Sequence, residues 1–145
     1  FFHFQALLKH LGHRLPPSPE HLSNLSRVNR PGLHIRLPKS PLELGRICLR
    51  SQQYDQALHY FEVAIRDNPE DSWAWHGKGD SLQGKTDYIS ALNAYRKASQ
   101  LAPHEGLHWG GQANAHQGLH HLEEQKSCQV RALELDPSLS WMFNQ

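Results

Sequence analysis

Apolar side chains in the middle of the chain recur with the spacing of an α-helix. Their intervals of three and four residues place them on one helix face, at Tyr54, Ala57, Leu58, Phe61, Ala64 and Ile65. Pro69 follows shortly afterwards. A proline ring cannot continue the helical hydrogen-bond ladder, and it pushes the preceding residue out of the α conformation. The pattern therefore predicts an amphipathic helix that ends before Pro69.

The same arrangement returns 34 residues further along the chain, and then once more. The positions that keep this step include Pro69, Pro103 and Pro137, then Ala64, Ala98 and Ala132, and then Trp75, Trp109 and Phe143. We infer three units, each a pair of antiparallel helices closed by a proline, over residues 38–71, 72–105 and 106–139. Residues 140–145 begin a fourth unit or form a capping helix. The predicted fold class is all-α.

The second unit carries the fullest set of recurring residues, namely Trp75, Gly79, Tyr88, Ala91, Tyr95, Ala98 and Pro103. This set resembles the tetratricopeptide repeat, whose pattern runs W-x2-L-G-x2-Y…A-x3-F…P. The resemblance implies an α-solenoid in which antiparallel helix pairs stack and leave a concave wall. It also implies that Trp75 is a structural wedge between helices. Departures occur at both ends, where Pro41 replaces the early Trp of the first unit and polar residues enter the third.

Two glutamines mark the departure in the third unit, because Gln125 and Gln129 stand where an Ala and an aromatic are expected. A terminal repeat has no neighbour over its outer face, so polar residues there preserve solubility. The alternative is that a partner covers this face. We favour the first explanation.

Residues 1–37 do not follow the repeat and form a basic N-terminal extension. We predict a short amphipathic helix at its start, a break over residues 16–19, a second helix and an extended stretch over residues 33–37. Three interpretations of the first helix stay open. It packs on the first repeat as a cap, it is the cytoplasmic end of a membrane anchor, or it lies on anionic lipid.

Charge is also distributed unevenly along the chain. Residues 1–50 carry eight basic and two acidic residues, a net charge of +6, whereas residues 51–145 carry seven basic and twelve acidic residues, a net charge of −5. Either the two parts attract each other or the basic part meets an external partner. Nucleic acid is not the partner we expect, because the basic part lacks interleaved aromatic residues beyond its start.

Candidate binding residues follow from the resemblance, which implies that the first helix of each pair lines the concave wall. The residues predicted to bind a partner there are Arg46, Arg50, Trp73, His76, Asp80, Leu107, Asn114, Gln117 and Trp141. Arg46 and Arg50 lie one turn apart and can reach one anion. Trp73, Leu107 and Trp141 form an apolar strip. Asn114 can both donate to and accept from a peptide bond.

These residues predict a groove for a peptide or a partner helix, with an acidic end near Arg46 and Arg50 and apolar anchors near Trp73. The alternative is that Trp73 packs on the neighbouring repeat and that the arginines are solvated. Of the two tryptophans in Trp73-Ala74-Trp75, only Trp73 is expected to bear on binding.

Catalytic and metal-binding signatures do not support another function. The chain contains no phosphate loop, nucleophile elbow or paired-histidine protease motif, so we expect no enzyme and no cofactor. His104 and His108 are four residues apart, as are His116 and His120, but neither pair is predicted to lie on one helix, and we expect no metal. Cys48 and Cys128 match no metal spacing, which favours reduced thiols and a cytoplasmic setting.

The predicted function is that of a non-enzymatic protein-interaction module, such as an adaptor, scaffold or assembly factor that binds another protein or a peptide. The alternative is the tetratricopeptide portion of a larger membrane-tethered or multidomain protein that recruits a partner complex. Membrane association through the N-terminal segment stays open.

Overall fold

A computed structural model describes residues 38–144, and the predictions for residues 1–37 lie outside this range. The described residues form six α-helices and a final 3-10 helix: α1 (Pro41–Arg50), α2 (Tyr54–Asp67), α3 (Ser72–Gly84), α4 (Tyr88–Leu101), α5 (Gly106–Gly118), α6 (Leu122–Leu135) and the 3-10 helix Pro137–Met142. Each helix packs on the next, so the predicted all-α class of paired helices is confirmed. No helix in this range is both long and apolar enough to span a bilayer.

The helix ends follow the local signals in the sequence. Ser40 caps α1, because its hydroxyl accepts from the Glu43 N–H while the Glu43 carboxylate accepts from the Ser40 N–H. The second helices α2, α4 and α6 each end two residues before a proline of the repeat. The turns inside the pairs each hold one residue with positive φ, namely Gln52 at 59°, Thr86 at 63° and His120 at 60°. These residues are 34 positions apart, so the backbone conformation of this turn recurs with the same period as the sequence.

Two buried aromatic rings join successive helix pairs. Phe61 of α2 is 1% exposed, and its ring packs on Gly45 of its own pair and on Gly77 of the next pair. A Cβ atom added at Gly45 would lie 2.8 Å from the Phe61 ring, closer than carbon atoms can pack. The glycines therefore create the sockets that the ring fills, and one side chain holds two helix pairs together.

Tyr95 of α4 repeats this joint one unit later. Its ring is 2% exposed and packs on Gly79 of its own pair and Gly111 of the next. The third unit has Gln129 at the same step, so no ring projects onward from α6. The aromatic joints therefore connect the first pair to the second and the second pair to the third.

The structure corrects the role expected for Trp75. Trp75 is half-buried instead of wedged in the core, and its indole N–H donates to the Pro69 carbonyl oxygen over 2.9 Å. Trp109 makes the same bond to Pro103 over 3.3 Å. An indole N–H at this position closes the turn that links one helix pair to the next. Phe61 and Tyr95, and not Trp75, are the buried rings that lie between successive helix pairs.

Replacing Trp75 by phenylalanine keeps an aromatic ring but removes the hydrogen-bond donor. We expect the free energy of unfolding to fall by about 1 kcal/mol, measured by urea denaturation followed by circular dichroism. Trp141→Phe is the matched control, because Trp141 is 63% exposed, and it should change the free energy by less than about 0.5 kcal/mol. Equal losses in the two variants would contradict a stabilising role for the Trp75 bond.

Candidate functional site

The first helix of each pair lies on the inner side of the solenoid. Within residues 38–144, α1 touches α3 and α3 touches α5, whereas the second helices α2, α4 and α6 do not touch one another. A stack whose first helices are closer together than its second helices must curve toward the first helices. The side chains that project from α1, α3 and α5 away from their partners therefore line the concave wall.

A polar network lies in the middle of this wall. His76 of α3 and His108 of α5 form a histidine pair, with 3.0 Å between their Nδ1 atoms. His76 Nε2 lies 3.5 Å from Asp80 Oδ2, and the Tyr95 hydroxyl donates to Asp80 Oδ1 over 2.5 Å. The Tyr95 oxygen also lies 3.2 Å from Gln83 Oε1. The network thus connects three helices from two successive pairs.

Burial determines the protonation of this network. Burial, with smaller contributions from the neighbouring carboxylate of Asp80, raises the pKa of Tyr95, so its hydroxyl remains a donor. Burial lowers the pKa of His76 below its usual 6.5, although Asp80 opposes the shift. Burial and the adjacent His76 lower the pKa of His108 to about 4. Both imidazoles are therefore neutral at pH 7.

An open cleft lies at the C-terminal end of the same wall. This amide cleft has a volume of about 570 Å³, and its lining is uncharged, consisting of Gln83, Tyr88, Asn114, Gln117, Gly118, Gln125, Gln129, Trp141, Met142 and Phe143. The third helix pair and the 3-10 helix supply most of this lining. Five amide side chains provide both donors and acceptors, and the last three residues provide an apolar wall.

The residues predicted to bind a partner fall into separate groups. Asn114, Gln117 and Trp141 line the amide cleft. His76 and Asp80 belong to the polar network, and Trp73 is half-buried because its indole packs against His108, with 4.8 Å between ring centroids. The structure thus does not gather the predicted residues into one site.

The remaining predicted residues lie on first helices as well. Leu107 of α5 is half-buried, whereas Arg46 and Arg50 of α1 are exposed at one-turn spacing. The two arginines keep their capacity to meet an anion together. Their role in binding stays a prediction.

Several residues of these sites carried no decisive signal in the sequence. His108 has Ala74 and Ser40 at the equivalent positions of the other units, so the repeat pattern gives no reason to select it. Gln125 and Gln129 did stand out, as losses of the expected Ala and aromatic. The structure places both on the wall of the amide cleft.

The histidines considered as metal ligands lie as the sequence predicted relative to α5. His104 precedes this helix and His120 follows it. His116 instead approaches His121, with 3.3 Å between their Nδ1 atoms. Among the described residues, no three His, Cys, Asp or Glu side chains form a group suited to a metal ion.

Comparisons with known proteins agree with this geometry. A sequence profile described as "Tetratricopeptide repeat" matches residues 74–105. Superkiller protein 3 of Schizosaccharomyces pombe is 37% identical over 60 residues, which are 41% of this chain and 4% of that protein. The peroxisomal targeting signal receptor of Candida glabrata is 33% identical over 79 residues, which are 54% of this chain and 13% of that protein. The chain therefore spans only a small part of the length of these relatives.

A solved structure supports the same fold. A chain of the CopN-Scc3 complex matches with a TM-score of 0.61 at 19% sequence identity, covering 92% of this chain and 88% of that chain. At this identity the match bears on the fold alone. The 34-residue period, the stacked helix pairs and the profile match to residues 74–105 agree that the described residues form a helical solenoid built from tetratricopeptide repeats.

Proposed function

We propose that the chain is a non-enzymatic protein-interaction module whose amide cleft binds an extended, uncharged peptide segment of a partner protein. The observation that carries this proposal is the lining of the cleft, where five amide side chains surround an apolar wall and no charged residue is present. Charged ligands would lose hydration there without gaining a counter-ion. A neutral peptide loses much less hydration free energy when it enters the cleft.

The chemistry of the lining favours an extended peptide. Asparagine and glutamine each offer donors and acceptors, which match the alternating N–H and C=O groups of a peptide backbone. Trp141, Met142 and Phe143 offer a surface for one apolar side chain, and methionine adapts to different shapes. The volume of about 570 Å³ suits a short segment, because ligand pockets usually hold about 300–1,000 Å³.

The relatives are compatible with this function. One of them is named a receptor for a peroxisomal targeting signal. Arg46 and Arg50 extend the proposal, because a partner with an acidic segment beyond the neutral one could meet them at the other end of the wall.

Selection of binding peptides from a random library on the purified chain tests the proposal. We expect enrichment of uncharged peptides with one large apolar residue. The double variant Asn114→Ala/Gln117→Ala should weaken the best peptide by about 10- to 30-fold, because each lost hydrogen bond contributes about 1 kcal/mol. Affinity is measured by isothermal titration calorimetry.

The control is Gln100→Ala, which removes an exposed amide of α4 that does not line the amide cleft. It should leave the affinity unchanged. A peptide that binds the double variant normally but loses affinity in Arg46→Ala and Trp73→Ala would contradict the amide cleft and place binding at the N-terminal part of the wall.

A further inference from the structure

The histidine pair crosses between two repeats at the centre of the solenoid. His76 belongs to the first helix of the second pair and His108 to the first helix of the third, and their Nδ1 atoms are 3.0 Å apart. His108 is fully buried, and the His76 side chain is 14% exposed. The peptide binding proposed above does not require either imidazole.

The surrounding groups favour one arrangement of protons for the two contacts of His76, one with His108 and one with Asp80. Asp80 lies beside His76 Nε2, which therefore carries the hydrogen, and His76 Nδ1 is left as an acceptor. His108 must then donate through its Nδ1–H. His108 Nε2 is consequently unprotonated, and it is buried with no hydrogen-bond partner among the described residues.

An added proton disrupts this arrangement wherever it binds. On His108 Nε2 it creates a buried cation whose new N–H has no acceptor. On His76 Nδ1 it places two N–H groups face to face, unless His108 moves its own hydrogen to the unpartnered Nε2 site. Each route either buries an N–H group without an acceptor or sets two N–H groups against each other, so protonation destabilises the closed packing of α3 against α5.

We propose that the histidine pair is a proton-sensitive clasp, which holds the second helix pair to the third at neutral pH and opens when the solution becomes mildly acidic. The network continues from His76 through Asp80 and Tyr95 to Gln83, which lines the amide cleft. Opening therefore also disturbs one wall of the cleft. The proposal stands independently of what the cleft binds.

Charged and titratable groups of the adjacent helices act on His76 in both directions. Asp80 of α3 and Glu105 immediately before α5 favour its protonated form, whereas burial and Arg46 of α1 disfavour it. Tyr95 of α4 packs its ring against His76, with 5.1 Å between centroids, and stays neutral. Burial is the largest of these effects, so the neutral form prevails.

Other charged groups on the packed helices face elsewhere. Glu62 of α2 pairs with Lys78, which lies two residues after His76 and hence on the opposite side of α3. Glu124 of α6 acts on His116, and Asp136 caps the 3-10 helix. None of these carboxylates offsets the lowering of the His108 pKa, which is caused by burial and by the adjacent His76.

The direction of the pH effect follows from the shift at His108. Its pKa is about 4 in the closed structure and returns toward 6.5 when the pair opens. Above about pH 6.5 the closed state keeps its full stability, and this stability falls as the pH drops toward 4. At pH 5.0 the equilibrium constant for opening is expected to be about 30-fold higher than at pH 7.5.

Amide hydrogen exchange of α5 in the 145-residue chain tests this effect. After correction for intrinsic exchange, protection of α5 should fall about 30-fold between pH 7.5 and 5.0. His108→Asn keeps an amide N–H near the position of Nδ1 but cannot be protonated, so this variant should lose most of the pH dependence. His104→Asn, which removes an exposed histidine outside the pair, should retain it.

Two results would overturn the proposal. One is pH-independent protection of α5 in the unaltered chain, and the other is an undiminished pH dependence in His108→Asn. Nitrogen-15 NMR of the imidazoles gives a test that needs no variant. At pH 7.5 we expect hydrogen on His76 Nε2 and on His108 Nδ1, and the opposite pair of tautomers would refute the clasp.

Discussion

Replacing Phe61 with alanine should lower the free energy of unfolding by about 3–5 kcal/mol. The ring is 1% exposed and fills sockets at Gly45 and Gly77. Glycines have no side chains that could move into the cavity, so the site cannot collapse around the smaller residue. The variant therefore loses both the transfer energy of the ring and its packing against two helix pairs.

Urea unfolding followed by circular dichroism measures this loss. The slope of the free energy with urea should also fall if the first helix pair separates from the rest, because less surface is then exposed in the main transition. Ile89→Ala is the matched control, since Ile89 is 65% exposed and its truncation should cost less than about 0.5 kcal/mol. A Phe61→Ala variant as stable as Ile89→Ala would contradict the claim that the Phe61 ring holds the first two helix pairs together.

Gly77→Ala should destabilise the protein by about 1–3 kcal/mol, although the same change usually stabilises a helix interior by about 1 kcal/mol. The reason is that the added Cβ atom would overlap the Phe61 ring, which has little room to move inside its socket. Gly110→Ala is the matched control in α5. There the added atom meets the flexible end of Met142 at 3.0 Å, so the protein should be as stable as before or more stable.

A double-mutant cycle separates this clash from any intrinsic helix effect. Phe61→Leu shortens the ring side chain, so Gly77→Ala should cost less in that background than in the unaltered protein. The stability of all four proteins is measured by urea unfolding. An identical cost of Gly77→Ala in both backgrounds would show that the ring is not the obstacle.

The repeat pattern predicts the helices well because it reports what the units share. The recurring prolines and alanines define where α2, α4 and α6 end and which face they bury. The same pattern misjudged Trp75, because the indole N–H of Trp75 bonds to the Pro69 carbonyl oxygen and a pattern of residue types does not show such a bond. A periodic template identifies a residue type at a position without saying which atom of that residue matters.

Contacts between residues that lie far apart in the chain do not follow from the repeat pattern. His108 has no counterpart in the other units, and its significance comes from contact with His76, which is 32 residues away in the chain. The amide cleft depends on the short 3-10 helix that brings Met142 and Phe143 against α5. Neither contact follows from local spacing, since both require the stacked helices to be present first.

The aromatic joints also make the repeats unequal as building blocks. The second unit carries Gly77, which receives a ring from the preceding unit, together with Gly79 and Tyr95, which form its own half of the next joint. The first unit has Glu43 in place of the receiving glycine, and the third has Gln129 in place of the ring. Among the three, only residues 72–105 are complementary to a copy of themselves. Tandem duplication of this segment would therefore lengthen the solenoid with a filled joint at every new boundary.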